Sequence, residues 1–333
     1  MKKPSGYEKT LEIIKNTNDM PTYEAICVLV DCAKKGYALA SEKAISTIGK
    51  LNHPAIAPSL ISLYDWAEED WHKRDRSCGI RLAIVEVLGE SGSTIAIDTL
   101  HKAIRTVQIT RLGPGPEDVA VGLRAAAAIA LAQIDTGALY ELSLLLFDTE
   151  PNLPTSPKDK PYAKAATRQA AAKALRILGD SSGTHLLAIK LKFPESEVSE
   201  VLVECIESLI AINPPYLMEI VKPYLTGEDS YLSAIAALAL AENLGTQVLE
   251  LLLETLDVVH GDAKEAIVIA IATTRANNIR EILLTFLEHS SPFVRLGAVK
   301  GIKAYMDDNI WEKLMMMRDT DGDVAVRLEA GLS

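Results

Sequence analysis

Thr167–Asp180 reads TRQAAAKALRILGD, and this stretch decides the fold. Thr167, Ala171 and Leu175 lie four residues apart, so they fall along one face of an α-helix. Alanine and leucine dominate the stretch; both have high helix propensity, and alanine lets two helix backbones approach closely. The stretch therefore predicts an amphipathic helix that packs against other helices.

Weaker copies of this helix recur along nearly the whole chain. When the copies are aligned on Leu175, successive copies lie 40, 43, 44, 34, 31, 31 and 31 residues apart. The aligned residues are Ile48, Leu88, Leu131, Leu175, Leu209, Leu240, Ile271 and Ile302. Four residues upstream the residues are mostly small, namely Ala44, Ile84, Ala127, Ala171, Cys205, Ala236, Ile267 and Ala298. Each copy follows a second amphipathic segment, and such a period of paired helices predicts a solenoid.

The repeat type has a recognisable pattern. The copies combine a 31-residue spacing with a leading Val-Arg or Leu-Arg, alanine steps and a Leu-Gly-Asp ending. They resemble the short HEAT repeat known from phycobilisome lyases, most specifically in Thr167–Asp180 and in Val294–Leu296. The period and the resemblance together predict an all-α fold, a right-handed α-α superhelix of about nine HEAT-like helix pairs.

The repeat lengths also predict the domain organisation. We expect a single solenoid over residues 1–333, with N-terminal helices or a cap at 1–37. Expanded repeats follow at 38–180, and compact 31-residue repeats follow at 181–333.

Three long loops distinguish the expanded repeats. Each lies between the first and the second helix of a pair, and they span Glu68–Arg76, Gln108–Asp118 and Asp148–Pro161. Equivalent loops lie along one edge of a solenoid, so we expect them to cluster and to form a binding surface.

The first loop supplies the predicted contact residues of this edge. It contains Trp71, His72 and Arg74, and Trp66 lies one turn upstream. Tryptophan and arginine often dominate protein–protein interfaces, so these four residues are predicted to bind a partner. The alternative is that both tryptophans pack beneath the loop, since large aromatic side chains are highly buried on average.

A second predicted surface is acidic. Glu197, Glu200, Glu204 and Glu207 are spaced three and four residues apart, which places four carboxylates along one helical face. The stripe is predicted either to dock a basic partner or to be a solvated face.

Charge limits the classes of partner. The formal net charge is −11, which disfavours nucleic acid because nucleic-acid binders usually carry a basic surface. Residues 193–263 hold thirteen acidic residues against the single base Lys222. A partner protein with a basic surface fits this distribution.

Arg81, Arg124, Arg168 and Arg295 occupy one position of the repeat, just after the leading apolar residue. Arginine offers a fork of donors that suits carboxylates and carbonyls. These side chains are therefore predicted to tie adjacent loops together rather than to bind a ligand.

The chain shows no motif for catalysis, for a cofactor or for a metal. The six histidines are scattered singly, and the four cysteines lack the spacing of a zinc site. Neither a secretory signal nor an apolar run of membrane-spanning length is visible, so we expect a cytoplasmic protein without a membrane partner.

The leading functional prediction is a non-enzymatic scaffold or adaptor that binds another protein, using the concave face and the N-terminal loop edge. The repeat resemblance implies an alternative, a bilin-chromophore lyase or lyase-like chaperone. A third alternative is a HEAT-like DNA glycosylase, since Trp66 and Asp70 have the spacing of an aromatic and a carboxylate residue in that family. The acidic charge disfavours it.

Overall fold

A computed structural model describes residues 5–111, 115–148, 162–194 and 197–332. The chain divides into two compact units, residues 1–186 and 187–333, and each is described by itself. The predicted loop Asp148–Pro161 lies outside the described residues except for Asp148.

The described part of unit 1 consists mainly of helices. They are α1 (Gly6–Asn16), α2 (Thr22–Ala33), α3 (Ala38–Gly49), α4 (Ile56–Glu69), α5 (Trp71–Arg74), α6 (Gly79–Ser91), α7 (Ile97–Ile104), α8 (Val121–Ile134), α9 (Leu139–Leu146) and α10 (Tyr162–Leu178). Strands β1 (Ile109–Thr110) and β2 (Glu117–Asp118) form a small antiparallel hairpin. Helix α11 (Ser181–Lys192) crosses the boundary between the units.

The described part of unit 2 contains helices only. They are α12 (Ser199–Ile212), α13 (Leu217–Leu225), α14 (Ser230–Leu244), α15 (Leu249–Val258), α16 (Asp262–Thr273), α17 (Ile279–Phe286), α18 (Pro292–Ile302), α19 (Asp308–Thr320) and α20 (Val324–Ala330). Short 3₁₀ turns lie at Thr17–Asp19, Thr94–Ala96, Gly245–Val248 and Lys303–Tyr305.

The helices pack as a stack of pairs within each unit. In unit 1, α2 packs on α3, α4 on α6, α7 on α8 and α9 on α10, and the second helices α3, α6, α8 and α10 pack in succession. In unit 2, α13 packs on α14, α15 on α16, α17 on α18 and α19 on α20, with α12, α14, α16, α18 and α20 in succession. This arrangement confirms the predicted all-α solenoid, while its handedness stays a prediction.

The predicted apolar stripe forms the core of both units. All eight residues aligned with Leu175 have no exposed surface, and neither do the eight residues four positions upstream. Residues Thr167–Leu178 of the reference stretch form the end of α10, and Gly179, directly after the helix, has φ 69°, a left-handed conformation that commonly ends helices. The repeat register read from the sequence is therefore the register of the packed helices.

Two of the predicted loops contain regular structure. The first includes the last residues of α4 and the short helix α5, and the second closes on the β1–β2 hairpin. Sequence patterns did not indicate either element because both are shorter than the windows in which periodicity is visible.

One helical stretch of the described chain, Ser230–Val258, is apolar and long enough to span a membrane by length and composition. The structure divides it into α14 and α15, joined by a 3₁₀ turn that begins at Gly245 with φ 55°. A core helix passes the same test, so this stretch is weak evidence for a membrane span.

Candidate functional site

The N-terminal loop edge is organised around Trp66. The Arg74 guanidinium lies 4.9 Å from the centre of the indole ring, and the Lys34 ammonium lies 5.6 Å from it. Arg74 also donates to the Trp66 carbonyl at 2.7 Å and to the Glu69 carboxylate at 2.8 Å. Trp66 is half-buried beneath these cations, so part of the ring faces its own chain rather than solvent.

The short helix α5 presents the remaining predicted contact residues. The Trp71 and His72 rings stack with their centres 3.5 Å apart. Trp71 is half-buried and His72 is exposed, so the stack is partly accessible to solvent. The structure therefore pairs Trp66 with Arg74 and stacks Trp71 on His72, and Arg74 is already engaged within the chain.

A buried polar network fixes the loop edge from below. Asp75 accepts hydrogen bonds from the backbone N–H groups of Ile80 and Arg81, and it pairs with the Arg81 side chain at 2.9 Å. Arg81 also donates to Gln108 at the start of the second loop, and Gln108 donates back to the Asp75 carbonyl at 3.0 Å. The two loops are thus tied together through fully paired buried groups.

Cys78 lies inside this network, yet its environment argues against catalysis. Burial raises the pKa of the Cys78 thiol to about 12, and burial likewise raises the pKa of the neighbouring Tyr64 hydroxyl to about 12. A thiol acts as a nucleophile only as the thiolate, which this pKa suppresses at neutral pH. The network therefore supports the loop edge rather than forming a reactive site.

The repeated arginines hold adjacent elements, as predicted. Arg124 binds the Thr106 carbonyl at 2.9 Å and Asp118 at 2.7 Å. Arg168 donates to the Asp148 carbonyl at 3.2 Å. Arg295 binds the His289 carbonyl and pairs with Asp321. These three arginines thus bind carbonyl groups that follow the first helix of their pairs, where helices leave acceptors unpaired. Arg81, at the same repeat position, binds the side chains of Asp75 and Gln108 instead.

The predicted acidic stripe is shorter in the structure. Helix α12 begins at Ser199, so Glu197 precedes it and is not on the helical face. Instead, the Glu197 carboxylate pairs with Lys190 at 2.5 Å, with 4% of its side chain exposed. Glu200 and Glu204 are half-buried, Glu207 is exposed, and all three lie on α12. The prediction of four carboxylates on one helix is wrong for Glu197, because the chain turns before the helix begins.

An acidic groove that the sequence did not indicate lies between the second helices α3 and α6. Its volume is about 520 Å³, and we call it the α3–α6 groove. It is lined by Glu42, Ser46, Gly49, Lys50, Gly79, Leu82, Ala83, Glu86, Val87 and Glu90. Leu82, Ala83 and Val87 form its less exposed apolar part, whereas the three carboxylates and Lys50 are exposed.

The carboxylates of this groove are not neutralised by the chain around them. Glu42, Glu86 and Glu90 form no ion pair with any residue that the structure describes. Burial and the negative charges of Glu90 and Glu42 raise the pKa of Glu86. The groove therefore carries a negative potential that favours a cation.

Within the described ranges, no three His, Cys, Asp or Glu side chains are placed to hold a metal ion. No protein-family model matches the chain, and no curated protein matches it significantly. The assignment to the short HEAT repeat type therefore stays a prediction from sequence.

Proposed function

We propose that the protein is a binding scaffold for another protein, and that the α3–α6 groove receives a lysine or arginine side chain of the partner. The observation that carries this proposal is a comparison between two helix pairs of the same chain, α3–α6 and α16–α18. The second pair holds an ion pair at the positions where the first holds two carboxylates.

The two helix pairs pack in the same register. In α3–α6, a Cβ added to Gly49 would lie 2.8 Å from Val87. In α16–α18, a Cβ added to Gly301 would lie 2.7 Å from Ala272. Gly49 and Ala272 each follow the aligned core residue of their helix, and Val87 and Gly301 each precede it. Equivalent repeat positions in the two pairs therefore lie at equivalent places.

At the solvent side of this contact the two pairs differ in charge. Glu265 and Lys300 form an ion pair at 2.7 Å, and the hydrogen bond to Glu265 raises the pKa of Lys300. Glu42 occupies the repeat position of Glu265, and Glu86 occupies the position of Lys300. A cation from a partner would stand between carboxylates much as the Lys300 ammonium stands beside Glu265.

The shape of the groove suits a long basic side chain. Leu82, Ala83 and Val87 offer an apolar floor on which the methylene groups of lysine or arginine can pack, while the charged end meets the rim. We further propose that the loop edge of Trp66, Trp71, His72 and Arg74, and the face of Glu200, Glu204 and Glu207, contribute contacts to partners.

The test is binding of a short fluorescein-labelled peptide rich in lysine, measured by fluorescence anisotropy with the full chain. Glu86→Lys places an ammonium beside Glu42 and should reproduce the internal ion pair, weakening peptide binding by roughly tenfold or more, since it replaces attraction with repulsion. Glu250→Lys makes the same charge change on an exposed position of α15 and serves as the matched control.

A second control separates charge from shape. Glu86→Gln keeps the size of the side chain and should weaken binding less than Glu86→Lys. Equal affinity of the wild-type protein, Glu86→Lys and Glu250→Lys would contradict the proposed site.

A cytoplasmic location is part of the proposal. The four cysteines are all unpaired, and one of them, Cys27, is exposed, as is common in a reducing compartment. The bilin-lyase alternative rests on the repeat resemblance alone; its test is a change in visible absorbance on mixing with an open-chain tetrapyrrole.

A further inference from the structure

We infer that unit 2 carries a second and separate binding site, a cleft that takes a large apolar side chain flanked by lysine or arginine from a partner protein. This inference uses none of the residues of the α3–α6 groove.

The cleft has a volume of about 470 Å³ and is formed by the end of α11, by α12 and α13, and by the start of α14. We call it the apolar cleft. Its apolar lining residues are Leu191, Pro194, Leu202, Ile220, Pro223 and Leu232. Leu191, Leu202 and Leu232 are only 3%, 5% and 6% exposed, so its floor consists of well-packed core residues. Such a floor is largely preformed and needs little rearrangement to bind.

Local sequence explains why a cleft forms here. Pro223 lies inside α13 and has no N–H to donate to the carbonyl of Glu219, so the helix loses one hydrogen bond. The Tyr224 hydroxyl donates to the Leu191 carbonyl at 2.6 Å and fixes α13 against the end of α11. Gly227 follows the helix, and a Cβ added to it would lie 3.1 Å from the Pro223 carbonyl oxygen.

The rim of the cleft is negative and rich in acceptors. Glu219, Glu228 and Asp229 line it together with one base, Lys192. Lys192 is 3.8 Å from Glu219, a loose and exposed ion pair, and Glu228 forms none with any described residue.

These features define the chemistry of the occupant. An apolar floor accepts a large aliphatic or aromatic side chain, and an acidic rim favours basic residues on either side of it. Phe193 lies between the lining residues Lys192 and Pro194 in the sequence and is 66% exposed. A partner segment with one apolar anchor between lysines or arginines matches both parts.

The experiment uses methyl NMR of the full chain with a short peptide that has leucine between lysines. We expect saturable shifts at the methyl groups of Leu202, Ile220 and Leu232. Replacing the leucine of the peptide by serine should weaken binding, as reported by these methyl groups, by at least about tenfold, because the burial of one leucine side chain is lost.

Charge reversal on the protein tests the rim. Glu228→Lys should weaken binding at the cleft by roughly fivefold, whereas Glu254→Lys, the same change on an exposed position of α15, should not. Chemical-shift changes at the Leu82 and Val87 methyl groups report binding in the α3–α6 groove. The experiment therefore tests the two proposed sites independently.

Two results would overturn the inference. One is a set of peptide-induced shifts that spares Leu202, Ile220 and Leu232. The other is a shift of these methyls with protein concentration before peptide is added, which would assign the cleft to a second copy of the chain.

Discussion

Glu86 illustrates how a single residue can be poorly placed for stability and well placed for binding. It lies one helical turn from Glu90 and faces Glu42 across the groove, and both charges raise its pKa. A raised pKa means that the ionised carboxylate destabilises the folded state at neutral pH. Residues that carry such a cost in a well-packed protein are often those that serve recognition.

Asp321 shows the opposite case and gives a pH prediction. Hydrogen bonds from Arg295 hold the pKa of Asp321 below its usual value of 3.8. The stabilisation is therefore complete above that value and is lost as pH falls through the lower folded-state pKa. We expect Asp321→Asn to lower the free energy of unfolding at pH 7 by about 1.5–3 kcal/mol, the range for hydrogen bonds to charged groups.

The measurement is urea denaturation at pH 7 and at pH 3. Acid protonates the Asp321 carboxylate of the wild-type protein, and the Asn variant has no such charge to lose. The difference in unfolding free energy between wild type and Asp321→Asn should therefore be smaller at pH 3 than at pH 7. Asp319→Asn is the control, because among the described residues Asp319 pairs only with the adjacent and exposed Arg318. An equal loss of unfolding free energy for both variants would mean that the partly buried Arg295–Asp321 pair contributes no more than an exposed one.

At the scale of elements, second helices approach closely through small residues. A Cβ added to Gly89 on α6 would lie 2.7 Å from the Ala130 side chain and 3.3 Å from its Cα on α8. We expect Gly89→Ala to destabilise the protein by about 1–3 kcal/mol, because the overpacked contact outweighs the gain in helix propensity.

Thermal unfolding followed by circular dichroism measures this effect. Gly122→Ala is the matched substitution, since Gly122 is exposed on α8 and a Cβ there would contact only Leu82 at an ordinary 3.5 Å. It should raise the melting temperature slightly. A rise for Gly89→Ala as well would show that the helices separate easily.

The elements also show what sequence can and cannot predict. The aligned positions were found because an equivalent helix packing buries each of them, so the apolar residues recur with the period of the repeat. Helix α5 and the hairpin were missed because their stability comes from Asp75, Arg81 and Gln108, which meet only after folding. The α3–α6 groove was missed because Glu42 and Glu86 are remote in sequence; the signal that could reveal it is the repeat position of Glu265 and Lys300.

At the scale of the whole molecule, stacked repeats contact mainly their neighbours, so a perturbation should remain local. Gly89→Ala should therefore reduce hydrogen-exchange protection in α6 and α8 while leaving α16 and α18 unchanged. Mass-spectrometric hydrogen exchange of the full chain measures both regions at once. A uniform loss of protection would show that the two units unfold as one.

The matching register of α3–α6 and α16–α18 has a consequence for how such a chain changes over time. The residues that hold two helices together and the residues that face a partner occupy different positions of one repeat. Exchange of Glu for Lys at a single surface position would close one groove, and the reverse exchange would create another, without altering a buried side chain. Related proteins of this architecture would thus gain or lose a binding groove at one helix pair without changing the others.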